Sequence, residues 1–281
     1  MTSIEIRLDD ADSTVLTGST WGDPGRPLVV ALPGGGGVVM PRYKYLGPLI
    51  ASAGFRVVAM NLRGFGGSTG KLEGATFRDY ANDVVGIIEK LGATKAHLIG
   101  WAGGNRIQRM VAVTHPSRVS SVVLLGAGGS VGPALAPDLL KKGGLIQVPG
   151  ALTPEERLVV TRAIMFSPAT PDERVQEFVD SLDETWPEAV KAHAEAARST
   201  PNEVWWSGGD SQLLIVQGLD DKMAPVENGR KMKEMYGDRI ELVELSGCGH
   251  MMAFERPQAC ADAITAFFRK CELQPEAPHT S

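Results

Sequence analysis

The five residues Leu28-Val29-Val30-Ala31-Leu32 carry no polar side chain and run straight into Pro33 and four glycines. A continuous apolar run of this length fits a strand buried on both faces, the situation found in parallel sheets. Three similar runs follow at Phe55–Met60, Ala96–Ile99 and Val119–Leu125, and two more at Leu213–Gln217 and Ile240–Leu245. Helical periodicity lies between and after them, at about Tyr43–Ala53, Thr76–Leu91, Gly104–Thr114, Val226–Tyr236 and Pro257–Lys270. In the second of these, Tyr80, Val84, Ile87, Ile88 and Leu91 recur on one helical face. Strand and helix in alternation predict an α/β fold with a mostly parallel central sheet flanked by helices. Ahead of this series, Ile4–Leu8 and Thr14–Ser19 alternate polar and apolar residues and read as an antiparallel opening pair.

The alternation stops between residues 130 and 209, where no good strand is found and Pro and Glu are frequent. Pro154–Met165, Pro171–Leu182 and Trp186–Arg198 read as helices, each begun by a cap or proline signal. A segment this long is no simple loop. The domain reading is therefore a core at residues 1–129, a helical lid (cap) insertion at 130–209 and the rest of the core at 210–271. The polar, proline-containing residues 272–281 read as a disordered tail. Trp186, Trp205 and Trp206, with Phe166 and Phe178, give the insertion an aromatic character. They serve either to pack it on the sheet or to wall an apolar pocket.

Composition narrows the partners. Lys plus Arg is 28 against 33 Asp plus Glu, a net charge of −5, and no basic run suggests nucleic acid. No stretch of 18 apolar residues suggests a membrane span, and the first residues lack the pattern of a secretory signal, so the expected address is cytoplasmic. Three cysteines without a C-x-x-C disfavour a disulfide framework or a zinc site. The glycine loop after Leu32 lacks the lysine of a phosphate loop, and no G-x-G-x-x-G sits in a dinucleotide-binding unit, so no cofactor is expected. The expected partner is a small molecule, and nothing in the sequence sets an oligomeric state.

The chemistry concentrates where strands end. In HLIGWAGGNRIQRM, residues 97–110, a strand passes through Gly100-Trp101-Ala102-Gly103-Gly104 into a helix. Small residues on both sides of such a turn let the backbone lift the central side chain over the helix N-terminus, as in the nucleophile elbow G-x-S-x-G. Here the central residue is Ala102. The Gly34–Gly37 loop can point backbone N–H groups at a developing anion. Gly218-Leu219-Asp220-Asp221 places a carboxylate after the penultimate strand, and Gly247-Cys248-Gly249-His250 places a histidine after the last.

On these motifs the chain resembles members of the α/β-hydrolase superfamily over about residues 25–270. The resemblance implies the α/β-hydrolase fold and a set of roles. Asp221 matches the family's acid in G-x-x-D-x-x-x-P, with Gly218 and Pro225 in register; Asp220 is its local rival. His250 matches the histidine of G-x-G-H, and the oxyanion donors would be the N–H groups of Gly103 and Gly35. Gly34, Trp101, Trp186 and Trp205 are the candidate substrate contacts. Asn61-Leu62-Arg63-Gly64-Phe65-Gly66-Gly67-Ser68 resembles the family's D-x-R-G-x-G-x-S turn with Asn61 in the aspartate's place.

Two departures stand out. Pro33 occupies the place of a histidine that often opens the oxyanion loop, and Ala102 occupies the nucleophile position. An alanine methyl cannot attack a carbonyl, so an acyl-enzyme on this residue is closed whether the alanine is natural or replaces a serine. Cys248 is a weak substitute, because its own loop need not reach the elbow. His97 reads as packed on a strand, while His115, His193 and His279 show no partner, and His193 is expected to face solvent. Three function classes remain. The first is hydrolysis of an ester, amide or related bond in a small apolar or aromatic molecule by the His-Asp pair. The second is lyase, isomerase or cofactor-free oxygenase chemistry with the same pair as general base. The third is silent ligand binding.

Overall fold

A computed structural model describes residues 1–34, 43–182 and 187–273. Its eight strands are β1 (Thr2–Arg7), β2 (Val15–Trp21), β3 (Leu28–Leu32), β4 (Arg56–Met60), β5 (Ala96–Trp101), β6 (Val119–Leu125), β7 (Leu213–Gly218) and β8 (Ile240–Leu245). They form one sheet in the order β1-β2-β4-β3-β5-β6-β7-β8. β1 and β2 are antiparallel, and β2 pairs antiparallel with β4. From β4 through β8 every pairing is parallel.

The absence of polar residues in β3 has a direct cause. Leu28, Val30 and Leu32 face one apolar layer and Val29 and Ala31 the other, so all five are buried. On the first side lie helices α2 (Phe77–Lys90) and α3 (Gly103–Thr114). On the other lies α1 (Leu46–Ser52). The edge strand β8 keeps Ile240 buried while Glu244 is exposed, the half-wet pattern expected at a sheet margin.

The insertion contributes α4 (Pro137–Gly143), α5 (Pro154–Met165), α6 (Asp172–Asp180), α7 (Pro187–Ser199) and α8 (Asn202–Trp205). α5 starts where the sequence predicts it, with Pro154 in its first turn. Thr153 and Glu156 exchange reciprocal cap bonds of 3.1 Å. The core then closes with α9 (Glu227–Tyr236), α10 (Met252–Glu255) and α11 (Pro257–Leu273). The short helices α4, α8 and α10 are absent from the sequence reading because one or two turns carry too little periodicity. Helix α11 runs to Leu273, two residues beyond the break read at residue 272. The rest of the tail lies outside the described residues. Among the described residues no helix is long and apolar enough to cross a membrane.

The strand order reverses direction at β3. The chain steps from β3 to β4 on one side, then crosses to β5 on the other and continues outward through β8. Open α/β sheets bind ligands beyond the carboxyl ends of the strands flanking such a reversal. Gly34 leaves β3 there and Ala102 leaves β5.

Candidate active site

The turn after β5 has the backbone of an elbow. Ala102 sits at φ 47° and ψ −110°, one of two non-glycine residues with positive φ among the described residues. Such a conformation costs about 1–3 kcal/mol and persists only where its surroundings impose it. The flanking glycines show how. A Cβ on Gly100 would stand 2.3 Å from Asn105 Cα, and one on Gly104 would stand 2.4 Å from the Pro33 carbonyl oxygen. Gly103 opens α3, and its N–H is one that the helix itself leaves unpaired. A Cβ on Gly34 would lie 2.6 Å from the Trp101 ring and 2.9 Å from Ala102 Cβ, so the β3 loop meets the elbow with no room to spare. Gly35 and Trp186 lie outside the described residues.

Asp221 and His250 come together from the loops after β7 and β8. His250 Nδ1 is 2.8 Å from Asp221 Oδ2, and both residues are buried. The other carboxylate oxygen accepts the N–H groups of Met223 at 2.9 Å and Ala224 at 2.8 Å. An ionised carboxylate only accepts, so His250 carries its proton on Nδ1 and presents Nε2 as the basic atom. Asp220 points elsewhere: it accepts the Ser167 hydroxyl from the helical insertion at 2.5 Å. The Trp101 indole donates to the His250 carbonyl at 2.8 Å, and the two rings lie 4.8 Å apart. Trp101 therefore props the histidine as well as flanking Ala102.

Several supporting residues were missed in the sequence. Gly126, with φ 64°, lies so close that a Cβ would be 3.1 Å from the His250 ring and 3.3 Å from Asp221 Oδ2. Its carbonyl is held by Asn105 Nδ2 at 3.0 Å. Gln217 accepts the Ala127 N–H at 3.1 Å and approaches Asp221 Oδ2 at 3.4 Å. Glu255 accepts the N–H groups of Gly249 at 2.8 Å and Ser167 at 2.9 Å, tying the histidine loop to the insertion. The glycines at 126, 128 and 129 end β6 as other glycines end β3 and β5, so that signal was present in the sequence. Gln217 and Glu255 left none, because their partners are backbone groups brought in by the fold.

Other candidates fall away from this place. Cys248 is fully buried against Glu255, and burial with that neighbouring carboxylate pushes its thiol far up, so it stays protonated. Trp205, at the end of the insertion, is fully buried, its ring 4.5 Å from the Arg109 guanidinium carbon. His193 turns inward, a correction to its expected exposure. It packs edge-on against Tyr80 at 5.5 Å, and burial lowers its pKa to about 4. Asn61 donates to Thr17 Oγ1 at 2.9 Å and belongs to the turn after β4. Among the described residues no three His, Cys, Asp or Glu side chains form a metal-holding cluster.

A parallel sheet with an elbow after β5, an acid after β7 and a histidine after β8 is the frame of an α/β-hydrolase. The family described as alpha/beta hydrolase fold matches residues 27–153, and one described as TAP-like protein matches residues 177–278. The chain has the α/β-hydrolase fold, and residues 27–153 match the family described by it.

Its relatives are distant in sequence. It is 27% identical to the dihydrolipoyllysine-residue acetyltransferase component of the acetoin cleaving system of Pseudomonas putida. That match covers 89% of this chain and 65% of the longer relative. It is 28% identical over 246 residues to a 2-hydroxy-6-oxo-6-phenylhexa-2,4-dienoate hydrolase of Burkholderia cepacia, covering 82% of this chain and 84% of that one. A thermophilic esterase from Thermogutta terrifontis superposes with a TM-score of 0.76 at 20% identity, covering 96% of this chain and 99% of the esterase.

Proposed function

We propose that the chain is an α/β-hydrolase-fold enzyme that hydrolyses an ester, amide or related bond in a small apolar or aromatic molecule, with His250 as general base to water. The observation that carries this is the buried Asp221–His250 pair, 2.8 Å apart, at the end of the sheet where a strained elbow and a glycine loop meet. Water adds to the carbonyl carbon while its proton passes to His250 Nε2. The oxyanion is held by the Gly103 N–H with the second donor expected at Gly35. Collapse of the tetrahedral intermediate breaks the bond to the leaving group, which takes the proton from His250. Relatives named as hydrolases and esterases support the class. The same pair is equipped to take a proton directly from carbon, the non-hydrolytic reading that Ala102 favours by removing the covalent route.

The test is turnover of a panel of aryl and alkyl esters by the full chain, by His250→Ala and by Ala102→Ser. Hydrolysis that needs His250 is expected, since general base catalysis contributes about 10²–10⁴-fold. Ala102→Ser should gain labelling by a fluorophosphonate that the parent chain does not show. Unchanged turnover in His250→Ala would sink the proposal.

A further inference from the structure

Both stems of the insertion end on one side chain. Arg109, on α3 about two turns after the elbow, is fully buried. Its Nη2 donates to the Gly128 carbonyl at 3.0 Å, where the chain leaves β6 for the insertion. Its Nη1 lies 3.4 Å from the Trp206 carbonyl, where the chain returns. The guanidinium carbon stands 4.5 and 4.9 Å from the Trp205 and Trp206 rings. All its hydrogen-bond partners among the described residues are neutral. Burial on such terms is unfavourable, and with the Arg106 charge nearby it lowers the Arg109 pKa to about 9, still a cation at neutral pH. An apolar side chain of that length would avoid the cost, but it could not join separate backbone segments.

The same guanidinium reaches back toward the elbow. Nη2 also donates to Asn105 Oδ1 at 2.7 Å, and Asn105, itself fully buried, gives Nδ2 to the Gly126 carbonyl at 3.0 Å. The Asn105 backbone N–H bonds the Ala102 carbonyl at 3.1 Å. A guanidinium has only donors and a carbonyl oxygen only accepts, so Arg109 on one side and Gly126 on the other fix the orientation of the Asn105 amide. Gly126 in turn is tight against the histidine and its acid. A Cβ there would stand 3.1 Å from the His250 ring and 3.3 Å from Asp221 Oδ2. The line therefore runs from the stems of the insertion, through Arg109, Asn105 and Gly126, to the flank of His250.

We propose that Asn105 and Arg109 are positioning residues for the reaction: Arg109 pins both stems of the insertion and, through the Asn105 amide, holds Gly126 against the His250–Asp221 pair. The role in turnover rests on the reading of that pair as the reactive centre. The link to His250 is carried by one donor, Asn105 Nδ2, and its removal frees the Gly126 carbonyl without emptying any space in the core.

Asn105→Asp in the full chain separates positioning from scaffolding. The carboxylate keeps the bond to Arg109 and gives the buried cation a counter-charge, yet it sets an acceptor against the Gly126 carbonyl in place of a donor. The expected melting temperature is close to the parent's. The Nδ1–H resonance of the His250–Asp221 bond, assigned by its absence in His250→Ala, should shift or broaden. On an ester that the parent turns over, kcat should fall about tenfold with KM nearly unchanged, since small misplacements of a reacting group are costly. Arg109→Lys keeps the charge without the fork and should disturb the same resonance. An undisturbed resonance in Asn105→Asp overturns the proposal, as does an unchanged kcat. A marked fall in its melting temperature does the same, since it would make the amide part of the scaffold. A parent-like resonance in Arg109→Lys would overturn the part given to Arg109. If the parent hydrolyses no ester, the proposed function fails while the resonance still decides this inference.

Discussion

Two histidines in this protein have almost the same immediate surroundings and opposite prospects. His250 is buried at the carboxyl end of the sheet, with Nδ1 2.8 Å from Asp221 and the Trp101 ring beside it. His97 is buried near the start of β5, with Nδ1 2.8 Å from the Ser121 hydroxyl and its ring stacked on Phe268 at 4.2 Å. Glu272 lies 3.6 Å from its Nε2. By residue type the second group is the fuller one, a serine, a histidine and an acid, while the first has an alanine where the serine should be. What separates them is backbone. His97 and Ser121 are ladder partners inside β5 and β6, where N–H groups are engaged across the sheet. Around His250 the chain has left its strands, and glycines at 34, 100, 103, 104 and 126 allow N–H groups and a helix N-terminus to approach one point. A catalytic constellation is defined by where the loops converge, and only then by which side chains stand there.

The largest expected effect tests that contrast directly. His250→Ala should lower kcat/KM by about 10²–10⁴ for any substrate turned over, with little change in melting temperature. His97→Ala should leave kcat/KM within about threefold and lower the melting temperature by several degrees, because it empties a packed core position. Equal losses of activity in the two variants would abolish the distinction.

The next effect lies in pH. Burial, assisted by the Lys95 charge, lowers the His97 pKa from 6.5 to about 4. The unfolded chain therefore takes up this proton before the folded one does. The contribution of neutral His97 to stability is complete above about pH 6.5 and is lost as the pH falls toward 4. Between pH 7 and 5 the loss amounts to about 2 kcal/mol by linkage. Glu272, partly exposed and beyond hydrogen-bond distance, offsets little of it. Chemical denaturation at both pH values should show His97→Gln losing about that much less stability than the parent chain. An identical pH dependence would mean that His97 is charged in the fold.

The sheet and the placement of its loops were legible because their cause is local. Apolar runs such as Val119–Leu125 and glycine clusters such as Gly100–Gly104 report burial and turn geometry directly. The eight strands follow from that signal, and so does the meeting of Gly34 with Ala102. The inward turn of His193 was not legible, since the stripe that α7 buries, Ala189, Ala192 and Ala196, is made of small residues and gives a weak apolar signal beside it. For Trp205 the residue type left open whether it packs the insertion or walls a pocket; in the fold its ring lies against two guanidiniums contributed by α3. The choice between Asp220 and Asp221 rested on register alone. In the fold the two have different partners, Asp220 the Ser167 hydroxyl of the insertion and Asp221 the His250 ring.

The smallest effect is the one that separates the acids of the two histidine groups. Glu255 touches neither His250 nor Asp221 in any hydrogen bond, yet its two oxygens accept from Gly249 N–H, Ser167 N–H and the Thr170 hydroxyl. The same segment of the insertion receives the N–H groups of His250 at 2.8 Å and Met251 at 3.1 Å on the Met165 carbonyl. Glu255 thus joins the insertion to the histidine loop, and on the proposed mechanism it would position His250. In Glu255→Gln one carboxylate oxygen becomes an amide nitrogen facing an N–H donor, which costs about 1–3 kcal/mol for a buried group. A fall in kcat of about tenfold with a smaller change in KM is expected, together with a broadened His250 imidazole resonance. Glu272→Gln, at the other histidine, should move kcat by less than twofold and stability by about 0.5 kcal/mol or less. Should Glu255→Gln lower only the melting temperature and leave kcat and the His250 resonance intact, the insertion would be merely packed on the histidine loop, and the asymmetry between the two ends of the sheet would rest on Asp221 and the glycine turns alone.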